Sequence, residues 1–266
     1  MAHRMTQAFA KEHKLLSVFV TAGYPQTQDT IAICKHLQDA GADMIELGFP
    51  FSDPLADGPT IQQSNEVSLS QGMTLPLLFE QLKELRPAVE IPVLLMGYLN
   101  PVLQYGVERF VKDCQEVGID GLILPDLPLT EYEEEYKDLF EAHDLKTVFL
   151  VTPQTSAQRI RQLDDCTTGF LYIVSTASIT GNKLDVDEQR TAYFRRIQEM
   201  KLSNPLIVGF GIHDQESYEK AVTHTQGAII GSAFIKALQH GKDDLKTTVH
   251  TFVRNIRPSH TVESDT

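Results

Sequence analysis

Glu46 stands inside an apolar run, MIELGFP from Met44, and two aspartates follow it in a loop broken by Pro50, Pro54 and Pro59. Burying a carboxylate is unfavourable enough that the group either finds a partner or keeps its proton to a higher pH than usual. The second outcome makes Glu46 a general acid and base; the first makes it a structural carboxylate. On a strand, Met44, Glu46 and Gly48 share one face, with Ile45 and Leu47 on the other. The prolines restrict the loop, and a restricted loop aims Asp53 or Asp57 at a fixed point. Each aspartate has an ordinary alternative as a turn or cap residue bonded to its own backbone, and Asp126 in LPDLP shares that ambiguity.

A second set of residues suits an anion. Gly181 in SITGNK, Gly209 and Gly211 in VGFGI, and Gly231 followed by Ser232 in IIGSAFIKAL permit close backbone approach, and a helix beginning near Ser232 presents its N–H groups there. The alternative is that these glycines serve tight turns and strand packing. GFGI is not a GxGxxG, and no Walker lysine motif is present. Carboxylates on one side and an anion cradle on the other fit a small substrate with a phosphate tail and a group needing proton transfer. Tyr172 adds a phenol that either packs in the core or hydrogen-bonds a carboxylate. His213 reads as a loop residue facing solvent, and nine histidines without HxxH or HExxH spacing argue against a metal site.

The elements that position these residues are legible as an alternation. Eight short apolar runs begin at Leu15, Met44, Ile91, Gly121, Lys146, Phe170, Pro205 and Gly227. Between them lie segments of helical period such as DTIAICKHLQDAGA and VERFVKDCQEVG, and residues 60–90 are long enough for a helical hairpin ending near Pro87. Continuously apolar runs indicate parallel strands covered on both faces. Eight such units in 266 residues predict one domain, a single (β/α)8 TIM barrel with extra helices, whose chemistry sits at the C-terminal strand ends. The run EYEEEYKD from Glu131 reads as a solvated helix face.

Composition narrows the classes. A formal net charge of −13 with scattered basic residues disfavours nucleic acid and anionic membranes as partners. No membrane span or secretory signal is visible, which predicts a cytoplasmic protein. Cys34, Cys114 and Cys166 form no CxxC and read as packing thiols.

The string ELGFPFSDPLADGPTIQ, with LLMGYLNP, LPDLP, SITG, VGFGI and GSA, resembles the tryptophan synthase alpha subunit family over about residues 5–255, leaving 256–266 as an expected disordered tail. The resemblance implies a lyase of L-tryptophan biosynthesis that cleaves indole-3-glycerol phosphate to indole and glyceraldehyde 3-phosphate. It implies no cofactor in this chain, and a partner beta subunit carrying pyridoxal phosphate in an alpha2beta2 assembly. By the same resemblance Glu46 and Asp57 are catalytic, with Tyr172 in support. Gly181, Gly209, Phe210, Gly211, Gly231 and Ser232 hold phosphate; Phe19, Ile61, Leu95 and Phe210 sandwich indole; and Pro50, Asp53, Asn100, Asp126 and Pro128 face the partner. Ser178 and Thr176 depart from family members that carry glycine and arginine there, which bears on closure of the strand-six loop. Two rival readings are a metal-assisted barrel enzyme using Glu46, Asp53 and Asp57 as ligands, and a binding protein that only activates a partner.

Overall fold

A computed structural model describes residues 2–54, 57–174, 183–209, 211–241 and 244–258. Each apolar run becomes one strand: β1 (Leu15–Thr21), β2 (Met44–Gly48), β3 (Val93–Met96), β4 (Gly121–Ile123), β5 (Lys146–Val151), β6 (Leu171–Val174), β7 (Leu206–Gly209) and β8 (Gly227–Ile230). Every strand pairs in parallel with the next and β8 closes onto β1, so the fold is a (β/α)8 TIM barrel.

The helices follow in the predicted gaps. α1 (Arg4–Phe9) precedes the barrel, α2 (Thr30–Asp39) links β1 to β2, and the long gap before β3 holds α3 (Pro59–Ser70), α4 (Leu75–Leu82) and α5 (Leu85–Ala88). Proline starts α3 at its first position, and the Thr74 hydroxyl accepts the Leu77 N–H to cap α4. α6 (Leu99–Tyr105) and α7 (Val107–Val117) follow β3; α8 (Leu129–Glu131) runs through a π turn at Tyr132–Tyr136 into α9 (Lys137–Ala142). In that acidic stretch Glu133, Glu134 and Glu135 are exposed while Tyr132 is buried, so the run is solvated on one side only. α10 (Ala157–Cys166), α11 (Lys183–Glu199), α12 (Gln215–Val222), α13 (Ser232–His240) and α14 (Leu245–Ile256) complete the ring. Cys34, Cys114 and Cys166 are buried free thiols, as read.

Strand alternation divides the apolar side chains into two cores. Leu15, Phe19, Met44, Leu94, Ile123, Val148, Phe170, Tyr172, Ile207 and Ile229 fill the interior, where Met5 and Ala8 of α1 join them and close the N-terminal mouth. Ile45, Leu47 and Leu95 belong to the outer core between sheet and helices. The N-terminal face carries buried carboxylates with cations. Asp43 accepts the Leu16 N–H and pairs with Lys11, His13 and Arg257, while Asp120 accepts the Val93 N–H and pairs with Arg4 and Arg86. The expectation of a disordered tail from residue 256 fails at its first two residues: Ile256 is buried in the core and Arg257 is tied to Asp43. Residues 259–266 lie outside the described residues.

Candidate active site

Four carboxylates are buried among the described residues: Asp43, Glu46, Asp120 and Asp164. Asp43 and Asp120 have cations and backbone donors, and Asp164 accepts the Ser203 and Asn204 N–H groups and the Asn204 amide. Glu46 has neither. Its position opposite Phe19 on β1 and Leu94 on β3 puts it in the interior layer, and it is fully buried. Oε1 accepts a hydrogen bond from Ser17 Oγ at 3.2 Å, and Oε2 has no partner. Burial pushes the carboxyl up to about 8, against the weaker opposing pull of Ser17. Near neutral pH Glu46 therefore carries a proton, with one oxygen unengaged.

Asp57 sits at the end of the Pro-rich loop, just before α3. Its backbone N–H bonds to Pro54 O at 3.0 Å and its carbonyl accepts from the Gln62 amide at 2.9 Å, so the loop end is docked to the helix that follows. Burial pushes its carboxyl up to about 6, opposed by a hydrogen bond donated by the Tyr98 hydroxyl at 3.3 Å. Two carboxyls of one kind thus titrate apart: near pH 7 Asp57 is ionised and Glu46 is neutral. Tyr172 is raised well above its ordinary value, chiefly by burial and further by the charges of Glu46 and Asp57, so its phenol lies within electrostatic reach of both.

A cavity opens here at the C-terminal ends of β2 to β4, lined by Phe19, Gly48, Phe49, Asp57, Asn65, Met96, Gly97, Tyr98 and Pro125. Three glycines are required by aromatic rings lying on them. A Cβ at Gly48 would meet the Phe19 ring, one at Gly97 the Phe49 ring and one at Gly209 the Tyr172 ring and hydroxyl. Gly209 therefore has a packing duty beside any role toward an anion.

On the opposite side, α13 begins at Ser232 with Gly231 as its cap. No side chain caps it, and no acidic residue occupies its first turn, leaving an N-terminus suited to an anion. Gly211 has φ of 75°, the left-handed region that favours glycine. A Cβ at Gly231 would lie 3.5 Å from both Ile61 Cδ1 and Phe19 Cβ, so this cradle adjoins the apolar part of the site.

The structure thus brings together Glu46, Asp57, Tyr172, Phe19 and Ile61, with Gly209, Gly211, Gly231 and Ser232 alongside. Leu95 is a correction: it packs in the outer core, and its neighbours Leu94 and Met96 face the interior. The run IPVLLMGY is apolar at nearly every position and carries no alternation to reveal its faces. Gly181, Phe210, Thr176 and Ser178 lie outside the described residues. Asp53 is exposed and accepts the Ser52 hydroxyl, and among the described residues no group of three His, Cys, Asp or Glu could hold a metal ion. Asp126 accepts the Leu99 N–H, tying the β4 end to the start of α6. His213 is exposed, as read. Ser17, Tyr98, Met96 and Asn65 were not singled out from sequence. Ser17 shares strand parity with Phe19, the one signal that points to it.

A family model described as Tryptophan synthase alpha chain matches residues 5–263. The chain is 56% identical over 236 residues to the tryptophan synthase alpha chain of Flavobacterium psychrophilum, covering 89% of this chain and 93% of that protein. It is 52% identical to that of Christiangramia forsetii, covering 96% and 98%. The crystal structure of tryptophan synthase subunit alpha from Legionella pneumophila superposes with a TM-score of 0.87 at 33% identity, covering 97% and 98% of the two chains.

Proposed function

The chain belongs to the tryptophan synthase alpha chain family, and from that premise we propose how its own residues carry out the family's reaction. It is a carbon–carbon lyase that cleaves indole-3-glycerol phosphate to indole and glyceraldehyde 3-phosphate in tryptophan biosynthesis. The observation that carries the assignment of roles is Glu46: fully buried, raised to about 8, with one oxygen unpartnered.

Protonated Glu46 delivers its proton to indole C3, which leaves the ring with iminium character and positive charge toward its N–H. Ionised Asp57 accepts that N–H and stabilises the charge. Glu46, now a carboxylate, removes the proton from the hydroxyl on the carbon attached to C3. The O–H electron pair forms the aldehyde C=O, the C–C bond breaks, and its electrons restore the indole ring. Glu46 ends protonated, as it began. Tyr172, packed over Gly209 and within electrostatic reach of both carboxyls, supports them. Phe19, Ile61 and Met96 enclose the ring. Gly209, Gly211, Gly231 and the open N-terminus of α13 take the phosphate, with Gly181 and Phe210 assigned on resemblance.

The chain pairs with a beta subunit. We place pyridoxal phosphate in that partner, in an alpha2beta2 assembly, and the contact surface at the C-terminal rim. Asp53, Asn100, Asp126 and Pro128 are exposed there, with Pro50 half-buried. Leu103, one turn beyond Asn100 on α6, is 47% exposed. The biosynthetic role supports a cytoplasmic location, and no described helix is long and apolar enough to cross a membrane.

An indole-release assay on indole-3-glycerol phosphate, with and without the beta subunit, tests the reading. Indole should accumulate in both, faster with the partner, and addition of a chelator should leave the rate unchanged. Substrate binding without indole release, even with the partner present, would contradict it.

A further inference from the structure

The inward face of α3 carries three buried polar residues: Ser64, Asn65 and Ser68. Ser64 Oγ bonds with Thr21 Oγ1 at 2.6 Å and donates to the Ile61 carbonyl at 2.7 Å, while Ser68 donates to the Ala22 carbonyl at 2.5 Å. Asn65 differs. It is 5% exposed and lines the cavity beside Asp57 and Tyr98, and among the described residues its carboxamide has no hydrogen-bond partner. A carboxamide has two N–H donors and an oxygen with two lone pairs, all available to a molecule in the cavity that Asn65 lines. Buried polar groups are satisfied in all but a few cases, and an exception in a cavity is explained by what fills the cavity.

We propose that the Asn65 carboxamide binds the substrate hydroxyl on the carbon attached to the indole ring, an assignment that rests on the lyase reading above. Of the other polar parts of the substrate, the indole N–H and the phosphate have partners elsewhere, and the second hydroxyl lies one carbon further from the ring. The indole N–H goes to Asp57, and the phosphate goes to the glycine cradle beyond Phe19 and Ile61. At the ring end of the molecule this leaves the hydroxyl whose proton must depart. An Asn65 N–H donated to that oxygen holds the hydroxyl for deprotonation by Glu46 and stabilises negative charge as it develops there.

Steady-state kinetics with the beta subunit present, calorimetric binding of indole and thermal melting test this on Asn65→Leu and Asn65→Asp. Leucine keeps the branching, is larger and removes all polar atoms; aspartate keeps the shape and removes the N–H donors. Both variants should lower kcat/KM for indole-3-glycerol phosphate about 10- to 100-fold, the loss expected when one buried hydrogen bond to substrate goes. Asn65→Leu should bind indole, which lacks the hydroxyl, within about twofold of the wild type and keep a cooperative melt, because no hydrogen bond among the described residues depends on the amide. An unchanged kcat/KM would overturn the proposal. Indole affinity falling in parallel with turnover would overturn it in favour of a ring contact, and loss of the cooperative melt in favour of a structural role. A wild-type chain that binds substrate and releases no indole in the same assay would instead fail the lyase reading, and this proposal with it.

Discussion

Glu46→Gln should lower indole release by about 10²- to 10⁴-fold, the range in which positioned acid–base groups contribute. Glutamine preserves the shape of the side chain and can still accept from Ser17 Oγ, but it has no proton to give to indole C3 and cannot remove one from the hydroxyl. Substrate binding should survive, because phosphate and indole are held by other groups, so the loss appears in kcat. The same substitution should stabilise the fold at alkaline pH. In the unfolded chain Glu46 ionises near its ordinary 4.5, whereas in the fold it keeps its proton to about 8. The folded state thus binds the extra proton between those values, and the contribution of this group to stability falls as pH rises through the window and is flat above it. Chemical denaturation at pH 9 should find Glu46→Gln more stable by on the order of 4 kcal/mol, with the difference vanishing near pH 4 to 5. Full turnover in the variant would remove Glu46 from the mechanism. An unchanged stability at pH 9 would mean that the wild-type carboxylate is accommodated without penalty.

Asp57→Asn should lower kcat/KM by about 10²- to 10³-fold, the range seen when one preorganised electrostatic contact is removed from a developing charge. The neutral amide can still accept the indole N–H, so the ground state loses little; what disappears is the negative charge facing the protonated ring. The wild-type rate should fall below about pH 6 as Asp57 takes up a proton, and the residual rate of Asp57→Asn should lack that acid limb. An acid limb that persists unchanged in the variant would assign it to another group, such as the substrate phosphate.

Much of this was legible in the sequence, for identifiable reasons. Each of the eight apolar runs became a strand, because strands covered on both faces are apolar throughout and are separated by segments of helical period. The parity of MIELG correctly put Met44 and Glu46 on one face, with Ile45 and Leu47 opposite, because a charged residue marks the pattern. Leu95 failed for the complementary reason: VLLM has no polar residue to show which face is inward. The long-range pairings were not legible. That Ser17 meets Glu46, that Tyr98 reaches Asp57 and that Tyr172 needs Gly209 beneath it depend on neighbours 29, 41 and 37 positions away along the chain, brought together by the register of the barrel. Nor does sequence separate a buried carboxylate that has cations from one that has none. Asp43 and Asp120 precede strands much as Glu46 sits within one, yet cations converge on the first two and leave the third alone.

The central claim is that neutral Glu46 and ionised Asp57 coexist at working pH. The pH dependence of kcat/KM for indole release, from pH 5 to 9.5 with the beta subunit present, tests it most directly, since that ratio reports the free enzyme's essential acid and base. A bell with limbs at about 6 and about 8 is the predicted result. A rate that stays level or keeps rising beyond pH 9 would show that no neutral carboxylic acid at Glu46 is needed, and would contradict the account.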